Sequence, residues 1–173
     1  MGSFYNICGL LCLSVTCVFF ASDVYGQKAP VFVPERTPHD QVLGFNLSVF
    51  EDTTDSMSIQ EVVQASHRFK AVQQGFPSLG FQRHAHWFHL RINGRNLEDS
   101  SYSLHVDYAF IDELSVFEVH DGRVVQTFET GDSFPFDSRP FDYETFLFPL
   151  EIQSEQIVDV YFRVRSTESI LFP

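Results

Sequence analysis

Residues 87–128 read WFHLRINGRNLEDSSYSLHVDYAFIDELSVFEVHDGRVVQTF. Trp87-Phe88-His89-Leu90-Arg91-Ile92 alternates in character, Asn93-Gly94-Arg95-Asn96 makes a turn, and Tyr102, Leu104 and Val106 then share one face of a strand opposite Ser103, His105 and Asp107. A period of two marks half-buried strands. Leu114 to Val119 and Arg123 to Phe128 continue it, and the Asp121-Gly122 pair between them supplies the positive φ of a tight hairpin turn.

The same period extends outward in both directions. Downstream, Glu144 to Leu150 and Ile157 to Arg165 read as strands, the latter with Val160, Phe162 and Val164 on one face and Tyr161, Arg163 and Arg165 on the other. Upstream, Phe45 to Phe50 is a strand and Glu51 to Asp55 a polar turn. Ser58-Ile59-Gln60-Glu61 then has the S-x-x-E pattern of a capping box and predicts a short helix from Ile59 to Ala65. About seven strands with one early helix predict an all-β fold, a jelly-roll β-sandwich. No phosphate-cradling glycine loop, βαβ alternation or internal repeat supports a nucleotide-binding fold.

The N-terminus reads differently. Ile7 to Phe20 is a run of fourteen uncharged residues, too short to span a bilayer comfortably and the right length for a secretory h-region. Val24 and Gly26 fit the −3 and −1 positions of a signal-peptidase site, so residues 1–26 are expected to be a signal peptide. Cys8, Cys12 and Cys17, the chain's 3 cysteines, leave with it. Residues 27–41 hold Pro30, Pro34 and Pro38, which forbid a regular helix or a central strand, and are read as an arm. Residues 42–173 are the folded domain.

The composition narrows the partners. With 11 Lys and Arg against 23 Asp and Glu, a net charge of −12, the chain of 173 residues has no basic face for a nucleic acid or an anionic membrane. At 44% apolar and 16% aromatic it carries enough apolar area to fold.

Several groups are candidates for chemistry. His84 and His86, two apart on a strand, suggest a cupin-like metal site and a metal-dependent enzyme, with Glu98, His105 or His120 needed to close it. The same histidines also suit polar edge positions. Asp112-Glu113 and the pair Asp137 and Asp142 are expected by chance in so acidic a chain, and no Cys or G-x-S-x-G elbow supports a nucleophile. Trp87 serves either as core filler or as a stacking platform. Arg139, in the loop TGDSFPFDSRPF, either holds that loop by pairing with Asp132 or Asp137 or offers its guanidinium to a ligand.

The stretches HWFHLRINGRN, YSLHVDYAFIDELSVFEVHDGRVV, ETGDSFPFDSRPF, FLFPLEI and DVYFRVRSTESILFP, taken in order with the upstream NLSVFEDTTDSMSIQEVV, resemble the second type of extracellular domain of bacterial seven-transmembrane receptors with diverse intracellular signalling modules. The resemblance runs from about Val42 to Pro173. It implies a non-enzymatic periplasmic sensor domain without a cofactor, akin to carbohydrate-binding modules, that takes a small polar ligand or glycan. Seven membrane helices and a histidine kinase or diguanylate cyclase would follow it, and binding would be passed on by domain packing or homodimerisation. Carried over, the ligand-binding residues are Trp87, Asp132, Arg139 and Arg163, with Asn93 and Gly131 in support. Many members have Arg two residues after the Trp, where this chain has His89. The chain given stops at Pro173, so it is expected to be a piece of such a receptor or a domain secreted alone. In the latter case a structural or protein-interaction role is the alternative.

Overall fold

The computed structural model describes residues 30–35, 41–97 and 100–173. The expected signal peptide with its three cysteines, most of the arm, and Glu98 lie outside these residues. Among the described residues eleven strands follow in chain order: β1 (Val31–Phe32), β2 (Leu47–Asp52), β3 (Lys70–Ala71), β4 (Ser78–Phe81), β5 (Ala85–Asn93), β6 (Ser100–Val106), β7 (Glu113–His120), β8 (Arg123–Thr130), β9 (Phe146–Ile152), β10 (Ile157–Arg165) and β11 (Ser169–Leu171). One α-helix, α1 (Ile59–Gln64), joins β2 to β3.

The large sheet runs β3-β2-β5-β10-β7-β8, with β1 parallel to the end of β5; β6 pairs with β9 and β4 with β11 in two smaller sheets. One face of the large sheet, carrying Phe88, Leu90, Val116, Val160, Phe162 and Val164, packs on Leu104, Val106, Phe146, Phe148 and Leu150 of the β6–β9 pair and on Ile170 and Phe172 after β10. Phe88 and Phe172 stack with centroids 4.3 Å apart. This is the all-β sandwich that the alternating pattern predicts.

The opposite face is covered where alternation alone would leave it wet. Phe50, Trp87, Val119 and Tyr161 form a second core with Ile59 and Val62 of α1 and with Phe69 beyond it. A helix of six residues has little stability of its own and is held by that packing and by its cap. At the cap, Ser58 Oγ accepts from Glu61 N–H, and the Glu61 carboxylate accepts from Ser58 N–H at 2.7 Å. With a core on each side, the central strand β5 is buried on both faces from Ala85 to Leu90.

Several local results differ from the sequence reading, which has none of the short strands β3, β4 and β11. The arm contributes β1, whose Val31 and Phe32 pair with Arg91 and Ile92, while Asn96 Nδ2 donates to Pro34 O at 3.3 Å. Such a two-residue edge strand fits between Pro30 and Pro34 because neither proline has to donate to the ladder. The first expected strand starts late: Gly44–Asn46 is a 3-10 turn, and Phe45 is exposed. At the hairpin, Asp121 (φ 49°) and Gly122 (φ 75°) take the positive φ values that the dipeptide predicts.

Candidate functional site

Three connections meet at the end of the sandwich where β10 finishes: Asp107–Asp112 between β6 and β7, the long β8–β9 loop from Gly131, and the β10–β11 turn Ser166–Glu168. They are stitched together by hydrogen bonds. Asp132 N–H donates to Ile111 O at 2.7 Å and Ser133 N–H to Asp112 O at 3.0 Å. The Asp112 carboxylate accepts from the N–H and the hydroxyl of Thr167, each at 2.7 Å. Ser166 Oγ donates to Phe110 O at 3.2 Å, and Tyr108 OH donates to Ser169 O at 3.3 Å.

Gly131 makes this approach possible. It is buried at φ 139°, and a Cβ there would overlap the Asp112 carbonyl oxygen. Together the three segments enclose an open cleft of about 460 Å³ lined by Tyr108, Phe110, Asp112, Asp132, Thr167 and Glu168. Tyr108 and Phe110 meet edge to face with centroids 5.6 Å apart, and Phe110 remains 62% exposed. Two aromatic walls beside three carboxylates can stack on a ligand and accept its hydrogen bonds.

Of the residues expected to bind ligand, Asp132 alone lines this cleft. Trp87 is 1% exposed and stacked on Phe117 at 5.7 Å in the second core, so neither ring face is open to a ligand. Arg139 holds its own loop, but through carbonyls and not through Asp132 or Asp137. Its guanidinium lies 4.7 Å from the ring centroids of both Phe136 and Phe146, and Nη1 donates to Tyr143 O and Glu144 O at 2.8 and 2.7 Å. Arg163 donates to Asp55 O at 3.1 Å and lies 3.5 Å from Glu113. Gly131 supports the cleft as described. Asn93 sits at the far end of the sandwich, where its Oδ1 accepts from Arg95 N–H at 3.0 Å and closes the turn after β5.

His89, which stands where Arg was expected, is buried with Nε2 2.7 Å from Asp159 and its ring stacked on Tyr161 at 4.4 Å. Burial pushes the Tyr161 hydroxyl up to about 12.

The histidines expected to bind a metal do not converge. His84 lies 3.2 Å from Asp55, buried His86 donates through Nδ1 to His84 O at 3.0 Å, His105 contacts Thr145, and His120 contacts Glu118. Among the described residues no group of three His, Cys, Asp or Glu side chains is placed to hold a metal ion.

Several polar groups around the β2–α1 turn and β5 contribute to the dependence of stability on acid. Burial raises the Asp52 carboxyl, but hydrogen bonds from Thr54 Oγ1, Met57 N–H and Thr54 N–H outweigh it and hold the group below its ordinary range. The N–H of Ala85 and then the His84 ring hold Asp55 low as well, against some desolvation. Burial lowers His86 from 6.5. For each of these three the unfolded chain binds a proton first, so stability falls as pH falls. Glu118, raised by burial against its His120 bond, works in the opposite sense and favours the fold as it protonates. The melting temperature is therefore expected to begin falling below about pH 6.5, the ordinary His86 value, and to fall further as the carboxylates protonate. In His86→Gln the first of these steps should be missing from a calorimetric pH series.

The described residues form a two-layer β-sandwich with a cleft at one loop end. A family model described as 7TMR-DISM extracellular 2 matches residues 44–173, and the chain belongs to that family of extracellular sensor domains. Comparison with curated proteins gives no match. Among the described residues no helix is long and apolar enough to cross a membrane.

The cleft residues that sequence reasoning missed are Tyr108, Phe110, Thr167 and Glu168, while Asp112 was read only as a chance acid. Their signal was present as YAFID, an aromatic pair and an acid set between two strands, and as the polar STES after β10.

Proposed function

We propose that this domain is the non-enzymatic, ligand-sensing part of a periplasmic receptor and that it binds a small polar ligand of the carbohydrate type in the loop-end cleft. The observation that carries this reading is the cleft itself, with Phe110 exposed beside Tyr108 and carboxylates around it. Exposing a large aromatic ring gains nothing for folding, whereas a sugar's apolar face gains from stacking on it. Occupation would tie the β6–β7, β8–β9 and β10–β11 connections together more tightly. The receptor's membrane region, leading to a histidine kinase or diguanylate cyclase, would then read that change.

A calorimetric screen of mono- and disaccharides, repeated on Phe110→Ala, tests this. A saccharide binder whose affinity falls at least about tenfold in the variant is the expected result. Binding that is indifferent to Phe110 would refute the cleft.

A protein-interaction role has an observation of its own, because Phe134, Phe136, Phe141 and Tyr143 are exposed on the β8–β9 loop. Under that reading a ligand-free dimer forms and is lost in Phe136→Ser, as sedimentation would show.

A further inference from the structure

We infer that the ligand of this cleft carries a positive charge, as an organic ammonium group such as the free amine of an amino sugar or a small polyamine. This rests on the reading of the cleft as the binding site and narrows it to one chemical class.

The cavity and its aromatic walls come first, since carboxylates alone would be only a solvated rim. The exposed Phe110 ring and the neighbouring Tyr108 ring supply π-systems that attract a cation, and most strongly an ammonium that is already partly desolvated. The carboxylates then select the class. No Lys or Arg is among the lining residues, so an anionic ligand would meet Asp112, Asp132 and Glu168 without compensation.

The nearby cations are already engaged, Arg163 and Arg165 both with Glu113. Asp112 spends an oxygen on Thr167, whereas the Asp132 and Glu168 side chains have no hydrogen-bond or ion-pair partner among the described residues. A neutral sugar could use these two acids only as hydrogen-bond acceptors, while an ammonium also gains from their charge. The chain's net charge of −12 would steer such a cation toward the protein.

The test is calorimetric titration of the domain with glucosamine, N-acetylglucosamine, putrescine and choline at two salt concentrations. The expected result is binding of amine probes with at least about tenfold preference for glucosamine over its N-acetyl form. That affinity should weaken with salt and fall about tenfold or more in both Asp132→Asn/Glu168→Gln and Phe110→Ala. Asp137→Asn/Asp142→Asn, which removes the same charge from outside the cleft lining, should bind as the wild type does; an equal loss there would reduce the effect to bulk charge and overturn the inference. Thermal melts of each variant separate lost binding from lost fold. Equal or tighter binding of N-acetylglucosamine, lost in Phe110→Ala but kept in the double acid variant, overturns the positive charge and leaves the cleft standing. No binding of any probe overturns the charge inference, and the cleft then stands or falls on the saccharide screen.

Discussion

Gly131→Ala is expected to destabilise the domain by about 3 kcal/mol and to open the cleft, because the change imposes two costs at one point. The backbone is held at φ 139°, where a side chain is strained, and the new methyl would overlap the Asp112 carbonyl oxygen, which is backbone and cannot swing away. Relief requires the β8–β9 loop to separate from the β6–β7 connection. That breaks the bonds from Asp132 N–H to Ile111 O and from Ser133 N–H to Asp112 O. Denaturant unfolding should show the lost stability, and whatever folded fraction remains should bind ligand poorly. An Ala variant with wild-type stability and binding would mean that this approach is not needed.

Trp87→Ala is expected to cost about 3–5 kcal/mol, the range for emptying a large aromatic site in a packed core. Its ring fills the space between the large sheet and α1, against Phe117 and near Phe50, Val62 and Tyr161. Its buried Nε1–H has no hydrogen-bond partner among the described residues. Trp87→Phe therefore removes an unsatisfied donor while keeping much of the packing, and should cost far less than the Ala change. Ligand affinity, measured well below the melting transition, should stay close to wild type in Trp87→Phe. A large loss there would mean that the ring touches the ligand after all.

These two residues also show how much the sequence could tell. The seven longer strands were legible because their side chains alternate between two faces: Val160, Phe162 and Val164 alternate with Tyr161, Arg163 and Arg165 as the two faces of β10 do. The capping box was legible because its bonds are local. The second core was not, since Tyr161 and Trp87 are covered by a helix that lies about a hundred residues from one and two dozen from the other in sequence. Alternation gives the two faces of a strand but not what covers them.

The site was partly legible for the same reason. Gly131-Asp132 stood out as a local signal, and both residues belong to the cleft. Arg139 is marked by its Phe- and Pro-rich loop and Arg163 only by the family resemblance, but the carbonyls of Tyr143 and Glu144, the Asp55 carbonyl and the Glu113 carboxylate occupy them. Tyr108 and Phe110 lie some sixty residues from Glu168 along the chain, and only the pairing of β10 with β7 brings their connections together.

The central claim, that the loop-end cleft is where this sensor domain takes its ligand, is tested most directly by a two-dimensional amide NMR titration with glucosamine, N-acetylglucosamine and putrescine. The account predicts saturable shifts concentrated at residues 108–112, 131–134 and 166–169, with little change at Trp87, His89 and Asn93. Shifts centred on residues 87–93, or none for any of the three probes, would contradict it.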